Sequence, residues 1–204
     1  GIVLLPSSTG KNAATGGTGR LIFADARVPG QVTTNGEFLV EGTCVLTAVA
    51  VSGNRALVLG NTAGFTMMSG QPALAGEATA SVLDVTDPLH PLVIGATQTL
   101  PGVDPTVRWA LQACAGPGGL FFVSNVTRDD QPELWVLDTG NPSDIQTLAL
   151  EAPGPVKFAE FKDGLLYTAG GSGIGIYDLG GLLGVPVVAR VEVPKEANTS
   201  VVSG

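Results

Sequence analysis

Histidine, cysteine and basic residues are scarce in this chain of 204 residues, which has one histidine, two cysteines and ten lysines and arginines. A zinc site or a histidine-based catalytic triad needs several such groups close together, so little material is present for either. Eighteen acidic residues give the chain a formal net charge of −8. This balance argues against a surface that binds nucleic acid or anionic lipid, because both need clustered Lys and Arg.

Long apolar runs and aromatic side chains are also limited. Aromatic residues make up 5% of the chain, and no uninterrupted apolar stretch reaches the about 18 residues that a transmembrane helix needs. Hydrophobic residues nevertheless reach 44%, which is enough for a buried core. We therefore expect a folded protein in which the 29 glycines and 14 prolines mark turns rather than disorder.

The two cysteines and the single histidine are isolated in the sequence. Cys44 and Cys114 could pair, but two cysteines are too few for a disulfide framework, and buried free thiols that pack as small hydrophobic residues are the expected arrangement. His90 lies in a turn between prolines, with no second histidine to share a metal ion. We expect it to be exposed and to have no catalytic role.

What the chain does contain is a repeat. A short apolar strand that ends in aspartate occurs four times, and each copy is followed by a turn and a further apolar strand. Upstream of the last three copies, two apolar strands flank a glycine-bearing turn, which is typical of a β-hairpin. The unit is therefore four short antiparallel strands in roughly 40–60 residues, the size of one β-propeller blade. The four strands that end in aspartate are Leu21–Asp25, Ala80–Asp84, Leu134–Asp138 and Ile174–Asp178.

The repeat predicts an all-β fold of about four four-stranded antiparallel β-propeller blades, forming a single unit over residues 1–204. The first copy lacks its innermost strand, and residues 198–204 either supply it or start a further blade. Two architectures therefore stay open, a closed four-bladed ring and a segment of a larger propeller. The approximate repeats are residues 1–42, 43–103, 104–153 and 154–197.

Two copies carry a well-preserved strand, aspartate, turn and strand in succession. The second copy reads SVLDVTDPLHPLVIG over Ser81–Gly95, and the third keeps Leu134–Asp138 followed by Asn141-Pro142. These segments resemble the LVIVD-repeat family of bacterial and archaeal β-propellers. The resemblance implies the propeller fold and a secreted or cell-surface setting. It brings no catalytic residues with it.

Variable loops on a rigid scaffold are where binding residues usually lie. The longest connection runs over about residues 61–77 and contains Phe65, Met67 and Met68, which would form an adaptable contact patch or pack back over their own blade. A second candidate is the charged stretch with Arg128, Asp129 and Asp130, whose simpler interpretation is a solvated loop.

Metal binding is the less favoured role for the acidic residues. Asp129, Asp130 and Glu133 could offer oxygen ligands to calcium, although their spacing does not match an EF-hand loop. The strand-ending aspartates are better explained by hydrogen bonds to the backbone of the turn that follows. We therefore expect no cofactor, calcium being the one ion that these residues would suit.

Together these features favour a non-catalytic binding or scaffolding module of the extracellular space or cell envelope. Its partner would be a protein or a glycan, without nucleic-acid binding or membrane insertion. One alternative is a hydrolase or lyase with acidic residues, such as Asp104 or Asp129, near the central channel. Another is a structural unit that self-associates by strand addition at open blade edges.

Overall fold

A computed structural model gives the fold of this protein. Regular structure in the described residues is β-strand throughout, apart from one 3₁₀ turn at Pro117–Gly119, so the predicted all-β class is confirmed. No helix among these residues is long and apolar enough to cross a membrane. The structure describes residues 2–8, 19–28, 30–68, 71–74, 76–100, 112–126, 132–150, 156–170, 173–178 and 187–191.

The first two sheets are antiparallel and occupy the N-terminal half of the chain. Sheet 1 has the strand order β1-β2-β3, and sheet 2 has the order β10-β8-β5-β4, with β9 also paired to β8. A separate hairpin, β6–β7, is inserted between β5 and β8. The strands are β1 (Ile2–Ser8), β2 (Gly19–Asp25), β3 (Thr33–Val40), β4 (Val45–Ser52), β5 (Arg55–Asn61), β6 (Phe65–Met68), β7 (Gln71–Leu74), β8 (Ala78–Asp84), β9 (Leu92–Val93) and β10 (Gln98–Thr99).

Sheets 3 and 4 each have four antiparallel strands in sequence order. The β15–β16 hairpin turns at Asp163 and Gly164, whose φ angles of 51° and 84° are those of a type I′ turn. The strands of sheet 3 are β11 (Gln112–Ala115), β12 (Leu120–Val126), β13 (Pro132–Asp138) and β14 (Gln146–Leu150), and those of sheet 4 are β15 (Val156–Lys162), β16 (Leu165–Gly170), β17 (Gly173–Asp178) and β18 (Val187–Val191).

The predicted aspartate-terminated strands are all present. Strands β2, β8, β13 and β17 each end at the repeated aspartate. The residues directly opposite these aspartates on the preceding strand are therefore equivalent positions, and they are Ile2, Arg55, Leu120 and Leu165.

Sheet 1 has one strand fewer than sheets 3 and 4. In sheets 2, 3 and 4, the strand before the aspartate strand also pairs with one more strand, which is β4, β11 or β15. In the described residues of sheet 1, β1 pairs with β2 alone. Among the described residues, the first repeat therefore has no strand equivalent to β4, β11 or β15. Residues 198–204, which the sequence allows either to supply this strand or to start a further blade, lie outside the described residues.

The sheets stack face to face, and an apolar core fills each interface. One cluster joins sheets 1 and 2 through side chains that include Phe23 and Val58. A second joins sheets 2 and 3 and includes Leu57 and Trp135, and a third joins sheets 3 and 4 and includes Tyr177. Strand β8 reads as an almost uninterrupted buried run because its residues are covered from both sides.

Two connections differ from the sequence prediction. The segment expected to be a loop over residues 61–77 contains the β6–β7 hairpin. The predicted strand at residues 92–96 is interrupted, because the chain bends at Gly95 (φ +83°) beside the loop of sheet 3. A Cβ atom at Gly95 would lie 2.6 Å from the carbonyl oxygen of Pro142, so only glycine fits this approach. No closed ring of sheets is found among the described residues.

Candidate binding pocket and surface loops

The free edges of three sheets converge around a pocket. Strands β4, β11 and β15 are the edge strands of sheets 2, 3 and 4, and β11 contacts both of the others. Between them lies a cavity of about 290 Å³. Its lining residues are Thr47, Ala48 and Val49 from β4, Gln112 and Ala113 from β11, and Phe158 and Ala159 from β15.

Small side chains leave this pocket open, and a few larger ones supply its chemistry. The Phe158 ring offers an apolar surface, the exposed Gln112 side chain carries an amide, and Thr47 carries a hydroxyl group. The Thr47 hydroxyl already donates to the carbonyl oxygen of Leu59 at 3.4 Å, a long hydrogen bond. No ionisable side chain occurs among the described lining residues. The lining is therefore suited to an uncharged ligand with both an apolar face and hydrogen-bonding groups.

Two irregularities in strand pairing occur at this pocket. The β4–β5 register shifts between Leu46 and Ala48, which leaves Thr47 outside the ladder. The β15–β16 register shifts between Val156 and Phe158. Such β-bulges turn a side chain away from the regular alternation and are common beside binding sites. At this cavity, the bulge in β4 leaves Thr47 unpaired, and the shift in β15 lies directly before Phe158, which pairs with Ala169.

The strand-ending aspartates are structural in the three repeats whose turns are described. Asp25, Asp84 and Asp138 each accept a hydrogen bond from the backbone N–H two residues later, at 2.9, 2.8 and 2.7 Å. This is the Asx-turn geometry, and it confirms the predicted role for these three residues. The turn after Asp178 lies outside the described residues.

Asp25 also forms a forked ion pair with Arg27. The guanidinium Nε lies 2.9 Å from each carboxylate oxygen, and Nη2 donates to Oδ2. Because these hydrogen bonds and the positive charge favour the ionised form, the pKa of Asp25 is lowered to about 2. The pKa of Asp84 is also lowered, by hydrogen bonds from Thr86.

A second turn of the same kind follows in sheets 2 and 3. Asp87 and Asn141 accept from the backbone N–H groups of Leu89 and Ser143, at 3.1 and 3.2 Å. His90 lies at the surface with its side chain 81% exposed, and Nδ1 is 2.8 Å from Asp87 Oδ2. The expectation of an exposed histidine is confirmed, and the ring shapes a turn.

The described structure includes only some of the candidate binding residues named from the sequence. Phe65, Met67 and Met68 lie in β6, where they pair with Leu74, Pro72 and Gln71 of β7. Arg128, Asp129 and Asp130 lie outside the described residues, and so does the side chain of Glu133. In the part of the chain that the structure describes, no group of three His, Cys, Asp or Glu residues is placed to hold a metal ion.

Sequence reasoning missed the pocket residues Thr47, Gln112 and Phe158. They lie on three different repeats, and only the stacking of the sheets brings their strands to one place. The one signal in the sequence was that each lies in the first strand of its repeat, which a propeller directs toward the channel.

The two cysteines are not joined to each other by a disulfide, as expected. Cys44 is buried and Cys114 is half-buried. Burial raises the pKa of the Cys114 thiol to about 12, so its reactive thiolate is strongly disfavoured at neutral pH.

Comparisons with known proteins give only weak structural likenesses. No family model and no curated protein matches the chain. The chain is similar to the solved structure of a hypothetical selenium-binding protein from Sulfolobus tokodaii, with 11% sequence identity and a TM-score of 0.42 over 87% of this chain. It spans 58% of the length of that protein. A likeness at this level carries no argument about fold or function.

Proposed function

We propose that the protein is a non-catalytic binding module of the extracellular space or cell envelope, built of β-propeller blades that resemble LVIVD repeats. The single observation that carries this proposal is the pocket of about 290 Å³ at the converging edges of sheets 2, 3 and 4. An uncharged glycan or an uncharged segment of a protein is the ligand class that fits its lining.

The assignment of the sheets as blades rests on their repeated construction. Sheets 2, 3 and 4 each present an edge strand to the pocket and an aspartate-terminated strand further out. In a propeller, the innermost strand of every blade faces the central channel, and binding loops surround it. The pocket then corresponds to one side of that channel.

The ligand class follows from the groups that line the pocket. Phe158 can stack on the apolar face of a sugar ring or an aliphatic side chain, while the Gln112 amide can both donate and accept hydrogen bonds. A strongly charged ligand would be desolvated there without a countercharge from the described lining, which costs free energy.

Ligand titrations with and without two pocket substitutions would test this function. We expect a neutral oligosaccharide or an uncharged peptide from a panel to perturb the backbone NMR signals of β4, β11 and β15. Phe158→Ala and Gln112→Ala should each weaken binding about tenfold, the loss expected for one stacking or hydrogen-bonding contact. Gln146→Ala, which removes an exposed glutamine from β14, is the matched control.

The same panel separates this function from its competitors. Turnover of any glycan or ester by the wild-type protein would contradict the non-catalytic assignment. If the ligand still binds after both pocket substitutions, the binding site lies elsewhere on the protein. Binding that disappears with EDTA would instead assign calcium to the acidic stretch of Asp129, Asp130 and Glu133. Detection of the protein only inside its source cells would exclude the extracellular setting.

A further inference from the structure

In the part of the chain that the structure describes, two sheet faces have no apolar neighbour. Sheets 2 and 3 are covered by a neighbour on both sides, whereas the described core clusters cover sheet 1 only on the side of sheet 2 and sheet 4 only on the side of sheet 3. In repeat proteins each unit buries its apolar face against the next, so the outward faces of sheets 1 and 4 indicate what kind of surface would cover them.

The outward face of sheet 1 is apolar at positions that are buried in sheet 2. Side chains alternate between the two faces of a strand, which places Leu5, Ile22 and Leu39 on this face. Ile22 pairs with Leu5 and Glu37 on its two sides, and Leu39 pairs with Arg20. Leu5 is 45% exposed and Leu39 is 51% exposed. Leu5 and Val58 are equivalent, because each lies three positions after the residue that pairs with the aspartate of its repeat. Val58 is only 1% exposed, because it is buried between sheets 1 and 2.

The outward face of sheet 4 carries the matching pattern. Tyr167, Ile174 and Ile176 alternate with the residues that face sheet 3, and all three are half-buried. The register makes Ile176 equivalent to Val82, which is 1% exposed between sheets 2 and 3.

We propose that a second copy of this chain covers both faces. Sheet 4 of each copy packs on sheet 1 of the other, and the two contacts close a ring of eight sheets. In each of the three interfaces within the chain, the face equivalent to the outward face of sheet 4 packs on the face equivalent to the outward face of sheet 1. The contact between copies therefore repeats an interface that the chain already contains. Eight blades lie at the upper end of the usual range of about four to eight.

Charge and area are compatible with this contact. The net charge of −8 opposes association, but the outward face of sheet 1 is locally balanced by the ion pair of Arg20 Nη1 with Glu37 Oε2 at 2.9 Å. Three or four strands about 4.8 Å apart and about 20 Å long give each face roughly 300–400 Å². Two contacts then bury roughly 1,300 Å², which lies within the size of a stable interface.

The mass of the 204-residue protein in solution is the first test. Light scattering after size exclusion should give about 41 kDa, twice the 20.6 kDa of one chain. Leu5→Lys and Leu39→Lys should each give a monomer, because each places a charge on an exposed apolar position of the contact. Leu92→Lys, on an exposed outer-strand position of sheet 2, should stay dimeric.

A cross-linking experiment distinguishes a second copy from closure within one chain. In the internal interface between sheets 2 and 3, Val82 and Trp135 belong to the same core cluster. At the proposed contact, Ile176 is equivalent to Val82 and Ile22 is equivalent to Trp135. Ile22→Cys mixed with Ile176→Cys should give a 41-kDa product with a short bis-maleimide, about twice the mass of one chain. Each variant alone should not.

Three outcomes would overturn the proposal. The first is a monomeric wild-type protein, and the second is a cross-link that forms only within a chain carrying both cysteines, because that result means a ring closed by one copy. The third is a species larger than the dimer, because the same contact would then produce a filament rather than a ring. None of them depends on ligand binding at the pocket, so the proposed function is tested separately.

Discussion

At the scale of single residues, the recurring element is a carboxylate that folds back on the turn after it. Asp25, Asp84 and Asp138 each hold a backbone N–H two residues ahead, which satisfies a polar group as the chain leaves the sheet. Their environments differ, since only Asp25 has an arginine paired with both oxygens.

The Asp25–Arg27 pair predicts a specific pH dependence. Because the folded state lowers the pKa of Asp25 to about 2, the pair stabilises the fold fully above the ordinary value of 3.8, and that stabilisation is lost as the pH falls toward 2. In Arg27→Ala the pKa should return toward its ordinary value. Carboxyl-carbon NMR titration of both proteins checks this, and an unchanged midpoint in the variant would assign the shift to another cause.

Gly60 and Gly36 predict opposite results for one substitution. A Cβ atom at Gly60 would lie 2.3 Å from the carbonyl oxygen of Val45, whereas one at Gly36 meets nothing within 4 Å. Gly60→Ala should therefore lower the free energy of unfolding by about 1–3 kcal/mol through overpacking. Gly36→Ala should be neutral or stabilising by about 0.5 kcal/mol, because it restricts the unfolded chain. Urea denaturation measures both, and equal effects would contradict the close approach at Gly60.

Residues whose role is local could be predicted from the sequence, and residues whose role depends on a distant neighbour could not. The aspartate turns involve partners two positions away, so residue type and spacing were sufficient. The bend at Gly95 depends on Pro142 in the next repeat, and the presentation of Thr47 depends on a bulge that one extra residue creates. Neither leaves a mark in the hydrophobic pattern.

At the scale of elements, polar side chains fasten one sheet to the next. The Gln98 amide of β10 donates to the carbonyl oxygen of Pro142 at 2.8 Å and accepts from the backbone N–H of Ile145 at 2.9 Å. Arg55 of β5 donates to the carbonyl oxygen of Thr139 at 2.9 Å. Sheets 2 and 3 are thus joined by directional hydrogen bonds at their rim as well as by their apolar core.

Loss of the Gln98 amide should weaken this junction measurably. Gln98→Ala leaves the buried Ile145 N–H without its acceptor, and we expect a loss of about 1–3 kcal/mol in the free energy of unfolding. Gln146→Ala, an exposed glutamine of the neighbouring strand, should change it by less than about 0.5 kcal/mol. Chemical denaturation compares the two variants, and a matching small effect would show that solvent replaces the Gln98 hydrogen bonds.

At the scale of the whole molecule, the described sheets pack in sequence order, and each is stabilised by its neighbours. The central sheets 2 and 3 have two apolar interfaces, and the terminal sheets have one in the described structure. Stability in such a stack is the sum of unit terms and nearest-neighbour terms, so the ends should open first.

Hydrogen exchange should report this gradient. In Leu39→Lys, where we expect a monomer, amides of β5, β8, β12 and β13 should exchange more slowly than those of β2 and β17, because the central strands open only when two interfaces separate. In the wild-type dimer the difference should shrink, since the second copy covers both ends. A uniform rate in the monomer would mean that the four sheets unfold as one cooperative unit.

Some features of the fold could be predicted from the sequence, and others could not. Strand endings at Asp25, Asp84, Asp138 and Asp178 and the missing first strand of sheet 1 follow from the repeat, because each copy repeats the same local pattern. The pocket did not follow, because its residues come from three repeats. The β6–β7 hairpin was also missed, because its strands have four residues each and β7 contains Pro72, a residue type that argues against a strand.

The way this hairpin joins its sheet has a consequence for how the protein can diversify. Strands β5 and β8 stay in register up to the pair of Asn61 with Ala78, and Thr62 and Glu77 then close a neck through two hydrogen bonds of 2.9 and 2.8 Å. Chain beyond the neck can therefore lengthen, shorten or change its sequence while the ladder below keeps its register. Proteins with this scaffold can therefore evolve a different hairpin at that point without a change in the core.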